Sequence, residues 1–153
     1  MGKAGVFFDG LLADARIQRD GLTITNCLSC RPPDNVFPTS WGAWSPKSKR
    51  RYISKEDGVK AVQQCKEKHL DPLLHSRKWN RVDLVGGQAL RIVAEEERRI
   101  TKLRGLTLTL PSGHKARAIL HPSYLEKPYL MERQSRRKET VDYLKNGLEE
   151  SAD

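Results

Sequence analysis

The stretch ITNCLSCRPPDN, residues 24–35, combines an asparagine, a Cys-x-x-Cys pair and two prolines. Cys27 and Cys30 have the spacing of a dithiol redox pair, but such a pair works at the opening of a helix inside a thioredoxin-like βαβ unit. Pro32 and Pro33 follow at once and exclude a helix there. As metal ligands, Cys27 and Cys30 with Cys65 amount to three thiolates, one fewer than a tetrahedral all-cysteine site uses. The plain alternative makes Cys27 and Cys65 small core residues. His121 has a different setting: it ends a predicted strand and is followed by Pro122 and Ser123, and strand C-termini form the ligand crevice of an α/β sheet. His114 belongs to a turn. His69 and His75 lie on or just past a helix without a spaced carboxylate and are read as structural. Gly86-Gly87 lacks the further glycines or lysine of a phosphate cradle and is read as a strand-to-helix turn.

The elements that must position these residues follow from periodicity. Ala4, Phe7, Phe8, Leu11, Leu12 and Ala15 recur at helical spacing, which predicts a helix over residues 4–16. Leu22 to Thr25 is predicted as a short buried strand, and residues 35–49, with Trp41 and Trp44 but no period, as an irregular loop. Ser54 and Asp57 form a capping box for a second helix bearing Val59, Val62, Cys65, Leu70 and Leu73. Residues 81–85 are predicted as a strand that turns at Gly86-Gly87 into a helix through Glu97, the unit of a parallel α/β sheet. Residues 106–110 and 115–120 flank the turn Pro111-Ser112-Gly113-His114 as a hairpin, and a last helix covers residues 130–148.

The chain has 153 residues, 31% charged and 37% hydrophobic, an ordinary globular composition with no apolar run long enough to span a bilayer. No secretory signal core follows Met1, so a cytoplasmic setting is expected. Residues 1–148 are expected to form one domain, with residues 149–153 a flexible acidic tail. The net charge of +9 is a statement about partners. Its cations cluster at Lys47–Arg51, at Arg98–Arg104 and at Arg133–Lys138, which favours a polyanion, nucleic acid first, without separating DNA, RNA and anionic lipid.

Taken in order, GKAGVFFDGLL, ITNCLSCRPPDN, a cysteine on the next helix, VDLVGGQAL, ITKLRG and ILHPSYL resemble the family 4, iron-sulfur type uracil-DNA glycosylases. The resemblance runs collinearly from Gly2 to about Leu125, and its specificity lies in that order. It implies a three-layer α/β/α fold around a small, mostly parallel sheet. It also implies hydrolysis of the bond between uracil N1 and deoxyribose C1′. By its place in HPS, His121 would donate a hydrogen bond to uracil O2, where charge develops as the base departs. Asn26 would read the base edge, since an amide offers donor and acceptor in one plane. Gly2 joins the substrate-binding residues, Ser123 would hold a phosphate, and Leu125 would wedge into the gap left by the flipped base. The resemblance further implies a [4Fe-4S] cluster with Cys30 and Cys65 as two of its four ligands, so that Cys27 has no family role.

Family members carry more before GKAG: the first two cluster cysteines, a central strand ending in a GEGPG-like loop, and a phenylalanine that stacks on uracil. The sheet is therefore expected to lack its N-terminal strand, between residues 22–25 and 82–86, and a separately supplied N-terminal half is one expected partner besides DNA. Alternative expectations are a non-catalytic DNA-binding or replication accessory subunit on the same scaffold, and a zinc site built from Cys27, Cys30 and Cys65.

Overall fold

Leu11, Leu12 and Ala15, the innermost residues of the first apolar stripe, are 0%, 2% and 6% exposed. They lie on α1, Lys3–Asp14, and just past its end. Arg16 adopts a left-handed conformation at φ 58°. The chain stops there because the Arg16 N–H reaches Ala13 O and the Ile17 N–H reaches Leu12 O, taking up carbonyls that the helix end leaves free. The computed structural model describes residues 2–29, 43–45, 50–127 and 131–146. It divides into two units, residues 1–24 with 79–153 and residues 25–78, taken separately here.

The first unit contains the mixed sheet, whose strand order is β3-β5-β4. Its strands are β3, Val82–Val85, β4, Thr107–Thr109, and β5, Lys115–Ile119. β3 runs parallel to β5, with Leu84 opposite Ala118, and β4 runs antiparallel to it, with Leu108 opposite Ala116. The α/β expectation therefore holds, while the small sheet is mixed rather than mostly parallel, because the β4–β5 hairpin returns the chain directly. The predicted hairpin turn closes as Leu110 N–H bonds His114 O at 2.9 Å and Gly113 takes φ +85°. Between β3 and β4 lie α4, Gly87–Ala94, and α5, Ile100–Leu103. The helix after β3 ends earlier than Glu97, because Glu95 turns left-handed at φ 54°.

Residues 22–25 form no strand. A one-turn 3-10 helix, Arg19–Gly21, precedes them, and Leu22 and Ile24 are 40% and 49% exposed. β-branched residues make a strand only where their backbone groups find a ladder, and none of the described strands pairs with them.

Two helices follow β5: the single turn α6, Pro122–Leu125, and the longer α7, Arg133–Lys145. The predicted last helix thus begins later, and its expected Leu130 and Leu148 lie outside the described residues, as does the tail. Leu11, Leu12, Ile119, Leu120, Leu125, Val141 and Leu144 form one buried cluster joining α1, the end of β5, α6 and α7. The C-terminal carbonyls of α7 are satisfied by two guanidinium groups. Arg117 Nη1 donates to Tyr143 O at 2.6 Å, and Arg81 donates to Leu144 O at 3.2 Å and to Asn146 O at 2.8 Å. Such cationic caps suit the negative end of a helix. Arg117 is 1% exposed and would be costly in an apolar site, yet these acceptors and the Tyr143 ring 5.7 Å beneath it offset its desolvation. Asp83 Oδ2 accepts from Arg81 Nε at 2.8 Å, but Oδ1 is buried without a hydrogen-bond partner. Burial raises the Asp83 pKa, outweighing the lowering by Arg81 and Arg117.

In the second unit, β1, Ala43–Ser45, pairs antiparallel with β2, Arg50–Ile53, so part of the stretch expected to be loop is a strand. α2, Lys55–Cys65, starts at the predicted cap: Ser54 Oγ accepts from the Asp57 N–H at 3.2 Å. It continues through a π-turn, Lys66–Leu70, into α3, Asp71–His75. Pro72 cannot donate to the preceding turn, and the wider turn next to it accommodates that missing bond. Leu70 and Leu74 are buried here, while Val59, placed on the buried face by periodicity, is 50% exposed.

Gly105 packs under Tyr143 of α7. At φ +81°, it leaves no room for a side chain, since a Cβ there would meet the Tyr143 ring at 2.2 Å. Gly105→Ala therefore combines backbone strain with overpacking, and a loss of about 3 kcal/mol in unfolding free energy is expected from urea denaturation.

Candidate active site

The parallel strands end together. The Gly86 N–H donates to Ile119 O at 2.9 Å, one step beyond the Val85–Ile119 register pair. From this point the two chains diverge, one through Gly86 into α4 and the other through Leu120 and His121 into α6. Gly86 takes φ +93°, and a Cβ there would stand 3.2 Å from His121 Cβ and 3.3 Å from Cδ2. The imidazole thus lies directly on the glycine backbone. Gly86, read from sequence as a turn, is also the floor of the site. Its signal, a Gly-Gly pair after a strand, was visible, but its contact with a residue 35 positions away was not.

His121 is the N-cap of α6. Its Nδ1 accepts the Ser123 N–H at 3.1 Å and lies 2.7 Å from Ser123 Oγ. A backbone N–H can only donate, so Nδ1 carries no proton and the single ring proton of the neutral imidazole sits on Nε2. Burial of the ring against its surroundings lowers the His121 pKa from the ordinary 6.5. Both effects favour the neutral ring, and His121 as a residue is exposed. The result is a fixed, uncharged N–H donor at the C-terminal end of parallel strands, suited to a polar atom that gains negative charge without first forming an ion pair.

The other expected site residues are distributed as follows. Ser123 is exposed, and its hydroxyl faces the His121 ring, where it orients the imidazole. Leu125 is 0% exposed and belongs to the core shared with α1 and α7, so its side chain does not reach the surface in this conformation. The adjacent side chain that does is Tyr124, 37% exposed. Gly2 caps α1 and is exposed, with its carbonyl accepting from Gly5 and Val6. Asn26 is exposed and belongs to the second unit.

In that second unit Cys65 Sγ accepts the Ser29 N–H at 3.3 Å. Burial pushes the Cys27 thiol pKa up, and nearby Cys65 adds to the shift. Both cysteines are free, and Cys30 lies outside the described residues. A four-iron cluster on cysteine ligands uses four thiolates, and this chain has three cysteines. Cys30 and Cys65 would supply two of those four thiolates.

The model of the uracil DNA glycosylase superfamily matches residues 1–145. The chain belongs to that superfamily. No curated protein matches it. DNA is the substrate that membership implies, and among the described residues no helix is long and apolar enough to cross a membrane.

Two substitutions test the geometry. In nuclear magnetic resonance titrations the His121 ring should have a midpoint below 6.5, and Ser123→Ala should raise it, since a donor to the neutral ring is lost. Because the folded pKa is lowered, protonation costs stability below the folded midpoint, and that cost fades as pH rises through 6.5. Gly86→Ala should displace the His121 resonances and destabilise the fold by about 1–3 kcal/mol.

Proposed function

We propose that this superfamily member is a uracil-DNA glycosylase of the family 4 kind, with His121 as the electrophilic catalyst. The observation that supports this reading is the tautomer: Nδ1 accepts the Ser123 N–H, which leaves the ring proton on Nε2 as a donor. Breaking the N1–C1′ bond sends its electron pair into the uracil ring, where O2 takes up much of the charge. A neutral donor aimed at O2 stabilises that anion. Water then bonds to C1′ and loses a proton to solvent. A histidine held neutral has an advantage over a cationic one here, since its donor strength does not depend on keeping a buried charge.

Asn26 is the proposed reader of the uracil edge, and Tyr124, exposed beside buried Leu125, is better placed than Leu125 to fill the gap left by an extruded base. The wedge role is accordingly moved one residue. The subtype rests on the collinear order of the six stretches from GKAGVFFDGLL to ILHPSYL. A separately supplied N-terminal segment is proposed as well: among the described strands β3 pairs on one edge only, with β5, which leaves the other edge open to a further strand.

Uracil release from a single-stranded oligonucleotide with one deoxyuridine, read as alkali-labile strand scission, tests the proposal. The wild-type chain should release uracil, and His121→Ala should slow release by about 10²- to 10³-fold. Asn26→Asp should lower selectivity for uracil. DNA binding without any release would instead identify a non-catalytic DNA-binding scaffold, and full activity in His121→Ala would remove the histidine from the mechanism.

A further inference from the structure

An open cleft of about 550 Å³ lies beside α6, lined by Lys3, Phe7, Glu126, Arg133, Gln134 and Arg137. Lys3 begins α1 and Arg133 begins α7, so cations from two packed helices converge on it. Neither helix has an acidic residue in its first turn to compete for an anion. Arg137 is held in place: its Nη2 pairs with Asp14 Oδ2 at 2.6 Å and its guanidinium stacks over the Phe7 ring at 5.0 Å. Lys3 and Arg133 are exposed, and no side-chain hydrogen bond or ion pair engages either among the described residues. Glu126 is the one carboxylate in the lining, and with Asp14 it leaves the cleft a positive excess.

We infer that this cleft seats a backbone phosphodiester of the DNA strand, next to the base-binding site. A phosphodiester carries one negative charge and acceptor oxygens, which match two free cations, a fixed guanidinium and the Gln134 amide. A metal cation would be repelled, and the cleft is larger than a lone small anion requires. The position is also apt. Glu126 follows His121 by five residues through α6, which puts this edge of the cleft roughly 7.5 Å along the helix from the histidine. The contact is sequence-independent and fixes register, so that His121 meets the extruded base. The inference rests on DNA as the substrate but not on catalysis.

Binding of a uracil-free, fluorescently labelled single strand, measured by anisotropy across a sodium chloride series, separates the two. Lys3→Gln with Arg133→Gln should flatten the slope of log K against log salt by about 0.7, the value for one phosphate contact on a single strand. Glu126→Gln should tighten binding at the same salt. Lys60→Gln, exposed in the other unit, serves as the control for general charge loss and should leave the slope unchanged. An unchanged slope in the double variant, or an equal change in Lys60→Gln, overturns the inference, and so does weaker binding by Glu126→Gln. If the slope falls but uracil is never released, the phosphate seat stands and the glycosylase proposal fails. If His121→Ala abolishes release while the slope is unmoved, the reverse holds.

Discussion

The site depends on the common end of two parallel strands. The hydrogen bond from Gly86 to Ile119 extends the β3–β5 ladder by one step and fixes where both chains leave the sheet. A Cβ at residue 86 would crowd His121 at 3.2–3.3 Å, so the imidazole lies this close to the backbone because that residue is glycine at positive φ. From the other direction, Pro122 starts α6 at once and brings the Ser123 N–H under Nδ1. Position and tautomer therefore have separate causes, the sheet end for the first and the turn into α6 for the second.

A second constraint holds the sheet to α7. Arg81 precedes β3 and Arg117 sits in β5, and both guanidiniums end on carbonyls at the last turn of α7. These bonds tie the helix to the same two strands that end at the site. The opposite end of α7 delivers Arg133 and Arg137 to the cleft beside α1. One helix thus links a buried cap behind the sheet to a cationic surface near its functional end.

Much of this was legible in the sequence. The α1 stripe, the Ser54 cap, the strand before Gly86 and the Pro111–His114 hairpin turn all carry local signals, and local signals set those elements. His121 stands out because a strand end followed by proline holds its ring where strand C-termini form the ligand crevice of an α/β sheet. What failed was decided at a distance. Leu22–Thr25 has the composition of a strand but finds no ladder among the described residues. Leu125 has the right offset from His121 for a wedge, yet the packing of α1 and α7 over α6 buries it. The tightness of the turn after His121 brings the Ser123 hydroxyl to the ring two residues back. The pairing of Arg117 with the end of α7 could not be read at all, because an arginine within an apolar strand has no local signature that names its acceptors.

The protonation state of one imidazole carries the functional account, and nitrogen-15 chemical shifts of the His121 ring at neutral pH report it directly. With DNA containing a non-hydrolysable deoxyuridine analogue added, the account predicts an unprotonated Nδ1, a protonated Nε2, and a shift of the Nε2 proton that thymidine-containing DNA does not produce. A proton on Nδ1, a fully protonated ring, or equal responses to the two DNAs would contradict it.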